Sequence, residues 1–226
     1  MTASEAGAPR TWVALFDLDG TLTWSDTLAL FLVSFLRRHR WRLIRLWRLP
    51  VVLLSFLLQS RDRGKLKSRV IRMVLGGASR VDIDSCRDAF TRELQPRHRL
   101  RPAALAVLEA HRAAGDHLVL LSASPDLYVP AIGELLGFER SICTEIRWRG
   151  DRLDGALLTP NRRGEEKLRC LERLRMQYPG VPIVAYGNSA SDLDHMRKAD
   201  RALLVNGNAA ARALAAQYGI PTADWR

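Results

Sequence analysis

A chain of 226 residues with 47% apolar and 26% charged side chains has the make-up of an ordinary globular protein, large enough for one domain plus an insertion, and this excludes a chain too polar to bury a core. Cysteines at 86, 143 and 170 are odd in number and lack metal-ligand spacing, so the composition speaks for reduced thiols in a cytoplasmic protein and against a disulfide scaffold or a zinc module. The formal charge of +11 is concentrated: residues 37–69 hold nine arginines and two lysines against the single acid Asp62, leaving the remainder near balance, so the excess speaks of an anionic surface facing one segment.

In chain order, residues 1–10 read as a loose tail without the basic start and apolar core of a secretory signal. Residues 13–16 predict a short buried strand, which stops at Phe16-Asp17-Leu18-Asp19-Gly20-Thr21. Positions i and i+2 of a strand share a face, so Asp17 and Asp19 are expected to point together into the crevice at the strand's carboxyl end. Two carboxylates there repel each other unless a cation or a shared proton lies between them. Gly20 and Thr21 supply a permissive backbone and a hydroxyl for the turn that follows.

Residues 24–100 read as a helical segment unlike its surroundings. Apolar runs at 28–36 and 49–58 flank an arginine-rich stretch at 37–48, and none reaches the ~18 apolar residues of a spanning helix. On an α-helical wheel Arg38, Arg42 and Arg45 fall together, with Leu43, Leu46 and Trp47 opposite, the pattern of a helix lying in a bilayer interface. A helical lid with merely solvated arginines is the bland alternative, and a nucleic-acid face is disfavoured by the two neighbouring apolar runs. Gly76-Gly77 breaks the pattern, residues 81–94 form a further helix, and Pro96 and Pro102 end the segment.

From Pro102 the chain alternates helix and strand, as a doubly wound parallel sheet requires. Helices are expected at 103–114, 126–136, 165–178 and 209–218, and strands at 117–121, 181–186 and 202–205. A hairpin or pair of short strands is expected around Arg149-Gly150-Asp151. Three strand ends then carry polar groups suited to a phosphate and a metal: Asp17 with Asp19, Ser122, and Asn188 with Asp192. Lys167 starts a helix able to point back at them. The five histidines are scattered and suggest no metal site.

Together, Phe16-Asp17-Leu18-Asp19-Gly20-Thr21, the strand ending in Ser122, Lys167 and Gly187-Asn188-Ser189-Ala190-Ser191-Asp192 resemble the four motifs of the haloacid dehalogenase (HAD) superfamily. Their order and spacing resemble its phosphoserine-phosphatase-like subclass IB, and the arginine-rich, apolar insertion resembles that of phosphatidylglycerophosphatase C-type enzymes. The resemblance implies a Rossmann-like α/β core at 11–23 and 101–226 with an inserted α-helical C1-type cap at 24–100.

It also implies a Mg²⁺-dependent phosphomonoester hydrolase in which Asp17 is the nucleophile that forms an aspartyl phosphate and Asp19 is the general acid and base. Ser122, Ala123 and Lys167 would bind the phosphoryl group, and Asp17, Asp19, Asn188 and Asp192 would hold the metal. Asn188 stands where many members have Asp, which implies weaker metal binding. Ala123-Ser124 replaces the usual glycines of phosphoserine phosphatases, and Asp26 replaces a Glu that meets the substrate amine. Asp26, Arg38, Arg42 and Arg45 are the substrate-side candidates in the cap. The expected substrate is a membrane lipid phosphate such as phosphatidylglycerophosphate, met on the inner face of the cell membrane. A soluble phosphatase of the phosphoserine type is the alternative, and a non-catalytic membrane- or RNA-binding adaptor is a third reading. Nothing in the residues speaks to oligomeric state.

Overall fold

The computed structural model describes residues 11–59, 62–94 and 99–225, without the side chains at 55 and 57–59. The expected tail at 1–10 and the break at Pro96 lie outside the described residues. Strands β1 (Val13–Phe16), β2 (His117–Pro125) and β3 (Arg140–Thr144) form one half of a parallel six-stranded sheet. Two further strands, β4 (Ile146–Arg149) and β5 (Arg152–Leu157), form a separate antiparallel hairpin. The sheet is completed by β6 (Ile183–Gly187), β7 (Arg201–Val205) and β8 (Thr222–Ala223), in the order β3-β2-β1-β6-β7-β8. The chain moves outward from β1 to β3 and then returns to the other side of β1, so the order reverses between β1 and β6. Ligands of open α/β sheets bind at such a reversal.

Both sheet faces are covered, which is why β1 reads as an uninterrupted apolar run. The period of two divides it: Ala14 and Phe16 join one core with Leu118, Leu120 and Tyr186, while Val13 and Leu15 join the other with Val119, Leu121 and Ile183. Helices α5 (Pro102–Ala113) and α6 (Val129–Leu135) cover the first face through Leu108 and Ile132. The opposite face is covered by α7 (Glu165–Gln177), α8 (Leu193–Met196) and α9 (Ala209–Gln217), through Leu171, Met196 and Ala211.

Between β1 and α5 lies the helical insertion: α1 (Thr27–Arg38), a 3-10 helix (Arg40–Arg48), α2 (Leu49–Gln59), α3 (Arg63–Leu75) and α4 (Arg80–Leu94). Its two ends run side by side, with Trp24 N–H donating to Arg99 O and Arg101 N–H to Leu22 O. Its apolar side continues the first core, where Phe31 and Phe90 pack on Tyr128 at ring separations of 4.7 and 5.5 Å. Among the described residues no helix is long and apolar enough to cross a membrane.

Two local expectations differ from the structure. The strand expected to end at 121 continues to Pro125, and its helix begins at Val129, because Asp126 N–H donates to Thr144 O while its carboxylate accepts Ile146 N–H. The hairpin β4–β5 forms where expected but docks on the insertion: Gly77 N–H donates to Leu153 O and Leu153 N–H to Ala78 O. Gly155, at φ 84°, packs so closely that a Cβ would lie 2.8 Å from Arg72 Cα.

The largest difference concerns the arginine-rich stretch. Helix α1 ends at Arg38, and the chain continues as a 3-10 helix with three residues per turn, so residues three apart align. Trp41, Ile44 and Trp47 therefore form one row, 63%, 73% and 68% exposed, while Arg42, Arg45 and Arg48 form the next. Arg42 is only 4% exposed and donates to Val74 O and Gly76 O, and Arg45 donates to Gly76 O. The expected grouping of Arg38, Arg42 and Arg45 on one exposed helical face is corrected accordingly. The α-helical period was the wrong one, and Arg42 instead satisfies the C-terminal carbonyls of α3.

Candidate active site

Asp17 follows β1 directly, extended at φ −77° and ψ 158°, and its N–H donates to Tyr186 O of β6 at 2.9 Å. Residues Leu18–Leu22 then make one wide turn that needs Gly20 at φ 80°. A Cβ on Gly20 would sit 2.0 Å from Asn188 Nδ2, so a larger residue would strain the turn and push the Asn188 side chain aside. A cavity of about 690 Å³ opens here, between the carboxyl ends of the strands and the insertion.

Lys167 and Asp192 meet Asp17 at its floor. The Lys167 ammonium donates to Asp17 Oδ1 at 2.6 Å and to Asp192 Oδ1 at 2.7 Å, and all three side chains are buried. The other Asp192 oxygen accepts from Ser189 Oγ at 2.7 Å and Ser189 N–H at 3.0 Å. One ammonium between two carboxylates leaves one net negative charge in a poorly solvated place. Burial, despite Lys167, pushes the Asp17 carboxyl up to about 7. The Asp192 carboxyl is held well below its usual range: burial opposes this, but Lys167 and the Ser189 hydroxyl outweigh it. Lys167 stays protonated, since the two carboxylates overcome its desolvation.

Asp19 shares the cavity but not the partners of Asp17. The strand has already ended at Phe16, so the expected common face does not exist. Asp19 Oδ1 accepts Thr27 N–H and Thr27 Oγ1–H, each at 2.6 Å, and Oδ2 accepts Ser124 Oγ–H at 2.6 Å. Burial raises its pKa above the usual value although all three donors oppose this. A cation does lie between two acids, but it is Lys167 between Asp17 and Asp192 and not a cation or shared proton between the expected pair Asp17 and Asp19.

The other candidates divide into two groups. Ala123, Asn188 and Asp26 line the cavity, and Asp26 also caps α1 by accepting Ala29 N–H at 3.0 Å. Ser122 is fully buried with its Oγ accepting Ser124 N–H at 3.0 Å, and the cavity wall at that strand end consists of Ala123 and Ser124. Arg38, Arg42 and Arg45 lie outside the cavity wall.

Four residues of the site escape a reading by motif: the fully buried Thr27 and the wall residue Ser124, which hold Asp19, and the wall cations Lys67 and Arg163. Lys67 reaches from α3 to Ala123 O at 2.6 Å and Asn161 Oδ1 at 2.8 Å, and burial lowers its pKa to about 8. Within the run Arg63-Gly64-Lys65-Leu66-Lys67 no local signal separates Lys67 from the exposed Lys65.

Among the described residues no group of three or more His, Cys, Asp or Glu is arranged to hold a metal. The oxygen set at the cavity floor is mixed, with the Asp17 carboxylate, the Asn188 amide and Asp192. All are hard donors, and with the uncompensated negative charge they fit a hard divalent cation such as Mg²⁺ better than a soft one.

The chain is 36% identical over 193 residues to Protein CicA of Caulobacter vibrioides, covering 82% of either chain. In fold it is similar to a protein of unknown function from Bordetella pertussis Tohama I, with TM-score 0.79 and 20% identity, covering 96% of this chain and 100% of that one. It is also similar to the structure of a phospho-aspartyl intermediate analogue of phosphoserine phosphatase, with TM-score 0.64 and 15% identity, covering 91% of each. Residues 14–197 match the haloacid dehalogenase-like hydrolases, and with the six-stranded parallel sheet this places the chain in that family.

Proposed function

We propose that the protein is a Mg²⁺-dependent phosphomonoester hydrolase that works through an aspartyl phosphate on Asp17. The observation that carries this reading is the buried Lys167 ammonium between Asp17 and Asp192, at the floor of a cavity that Asp19 also lines. The Asp17 carboxylate attacks phosphorus as the ester P–O bond breaks, and Asp19 gives its proton to the departing alkoxide. Asp19 then takes a proton from the water that attacks the aspartyl phosphate, which releases phosphate and frees Asp17. Thr27 and Ser124 hold Asp19 in place, and burial favours its starting proton. Lys167 and the cavity wall at Ala123 adjoin the charge that builds on the phosphoryl oxygens, while the buried Ser122 supports that wall through Ser124 N–H. Asp17, the Asp19 carbonyl, Asn188 and Asp192 would hold the metal, which when bound neutralises phosphoryl charge.

We further infer a lipid phosphate as substrate, met at a membrane surface. The cavity wall contributed by the insertion combines apolar Trp24, Leu28, Phe56, Leu66 and Val70 with the cations Arg63 and Lys67, which suits an apolar alcohol carrying a second negative charge. A soluble ester of the phosphoserine type is the second reading, favoured by likeness in fold to phosphoserine phosphatases. Phosphate release from an aryl phosphate with Mg²⁺ tests the chemistry. Asp17→Asn should lower it more than about a thousandfold with unchanged thermal unfolding, and retained turnover would remove Asp17 as nucleophile and revive the adaptor reading. Release from phosphatidylglycerophosphate vesicles compared with phosphoserine then decides the substrate class.

A further inference from the structure

A second hollow, of about 1040 Å³, lies between the 3-10 helix, α3 and the hairpin β4–β5, and shares no lining residue with the catalytic cavity. Helix α3 is the wall between them, turning Arg63 and Lys67 to one side and Arg69 and Arg72 to the other. The 3-10 helix adds Arg45 and Arg48, and the hairpin adds Arg147, Arg149 and Arg152. The one carboxylate among the described lining residues, Asp154, pairs with Arg147, with Arg72 at 3.5 Å and with Arg149 at 3.7 Å. Asp154 cannot balance the guanidinium groups of Arg45, Arg48, Arg72, Arg147, Arg149 and Arg152, and crowding like charges destabilises the compact state unless an anion settles among them.

We propose that this hollow receives the phosphodiester headgroups of an anionic bilayer, with the neighbouring row Trp41, Ile44 and Trp47 entering the membrane interface. The proposal rests on the lipid-phosphate reading above and assigns it a docking face. Trp47 and Ile44 rim the hollow, and the exposed apolar surface continues through Val51 and Leu54. Tryptophan with arginine beside it is the composition of an interfacial anchor. Arg45 lies over the Trp41 ring at 5.3 Å and Arg48 over Trp47 at 5.4 Å, so the cations sit at the level of the rings. Ile44, Val51 and Leu54 are aliphatic, which suits acyl chains better than the stacked bases of a single-stranded nucleic acid.

Flotation of the full chain with phosphatidylcholine vesicles, with and without phosphatidylglycerol, tests the proposal, with aryl phosphate hydrolysis measured on the same samples. Binding should require the anionic lipid and weaken with salt. Each lost arginine should weaken it about fivefold, so Arg48→Glu with Arg149→Glu should weaken it well over tenfold. Ile44→Ala with Trp47→Ala should weaken binding but leave its salt dependence in place. All these variants should hydrolyse aryl phosphate at the wild-type rate, which shows that they fold. Equal flotation on neutral vesicles, or unchanged binding after charge reversal, would overturn the proposal, as would tighter binding to a single-stranded oligonucleotide at the same salt. Flotation that survives while only soluble esters are hydrolysed would support the docking face and remove the lipid substrate.

Discussion

Along the sheet, cations rest against carboxylates. Arg169 meets both Glu165 and Glu166 at 2.7 Å, Arg175 meets Asp200 at 3.1 Å, and Lys167 lies between Asp17 and Asp192. In the first half of the insertion Arg72 meets Asp154, but other cations rest against carbonyls and rings: Arg42 on Val74 O and Gly76 O, Lys67 on Ala123 O, and Arg48 over Trp47. A carbonyl satisfies a donor without cancelling its charge, so this half of the insertion keeps a positive field, which the hairpin arginines extend. Helix α4 returns to pairing, with Arg87 against Asp84 and Asp88. The division thus follows the segment that walls the two cavities and not the insertion as a whole.

The severest way to break this comparison is to remove the cation of the core. Lys167→Met leaves Asp17 and Asp192 buried without a counter-charge, which should cost about 3–5 kcal/mol and abolish aryl phosphate hydrolysis. Urea unfolding and phosphate release read the two effects, and wild-type stability would mean that Lys167 is not the counter-charge of the two carboxylates. Arg42→Ala removes a cation of the other kind. Leaving the Val74 carbonyl without its donor, and the Gly76 carbonyl with Arg45 alone, should cost about 1–3 kcal/mol in thermal unfolding, while vesicle binding changes little because Arg42 is buried.

A pH profile separates Lys67 from its neighbours. Its folded pKa is lowered to about 8, so the ammonium is present below that pH and is lost above it. If Lys67 helps to hold a dianionic phosphomonoester, KM should climb severalfold above pH 8 while kcat changes less. Lys67→Arg should abolish that alkaline rise, because a guanidinium does not titrate in this range; a persistent rise would assign it to another group. The smallest expected effect belongs to Asn188→Asp. One more carboxylate at the cavity floor should lower the Mg²⁺ concentration for half-maximal activity severalfold, and an unchanged or raised value would count against Asn188 as a ligand.

What could be read without the structure follows from strong local rules. Buried parallel strands appear as apolar runs, and Phe16, Leu121 and Tyr186 are each followed closely by polar groups that have no place in a core. The reach of Lys167 to Asp17 was legible through the resemblance of spacing, since a helix-start lysine alone would pass for a solvated one. The hairpin was legible from Arg149-Gly150-Asp151, but its docking on α3 was not, because Gly77 and Leu153 meet only through the backbone. Strand β8 is two residues long, too short to carry a pattern.

By itself, the order of residues determined the sheet, the helical insertion, the concentration of positive charge and the polar strand ends, because each depends on neighbours close in the chain. Tertiary structure alone decided that Asp19 turns to Thr27 and Ser124, that Arg42 is buried while Trp41 is not, and that three hairpin arginines join four from the insertion. Those outcomes depend on where a helix ends and on which distant backbone groups lack partners. The energy of burying a charged or polar side chain is settled only when its surroundings, up to 100 or more residues away in sequence, have come together.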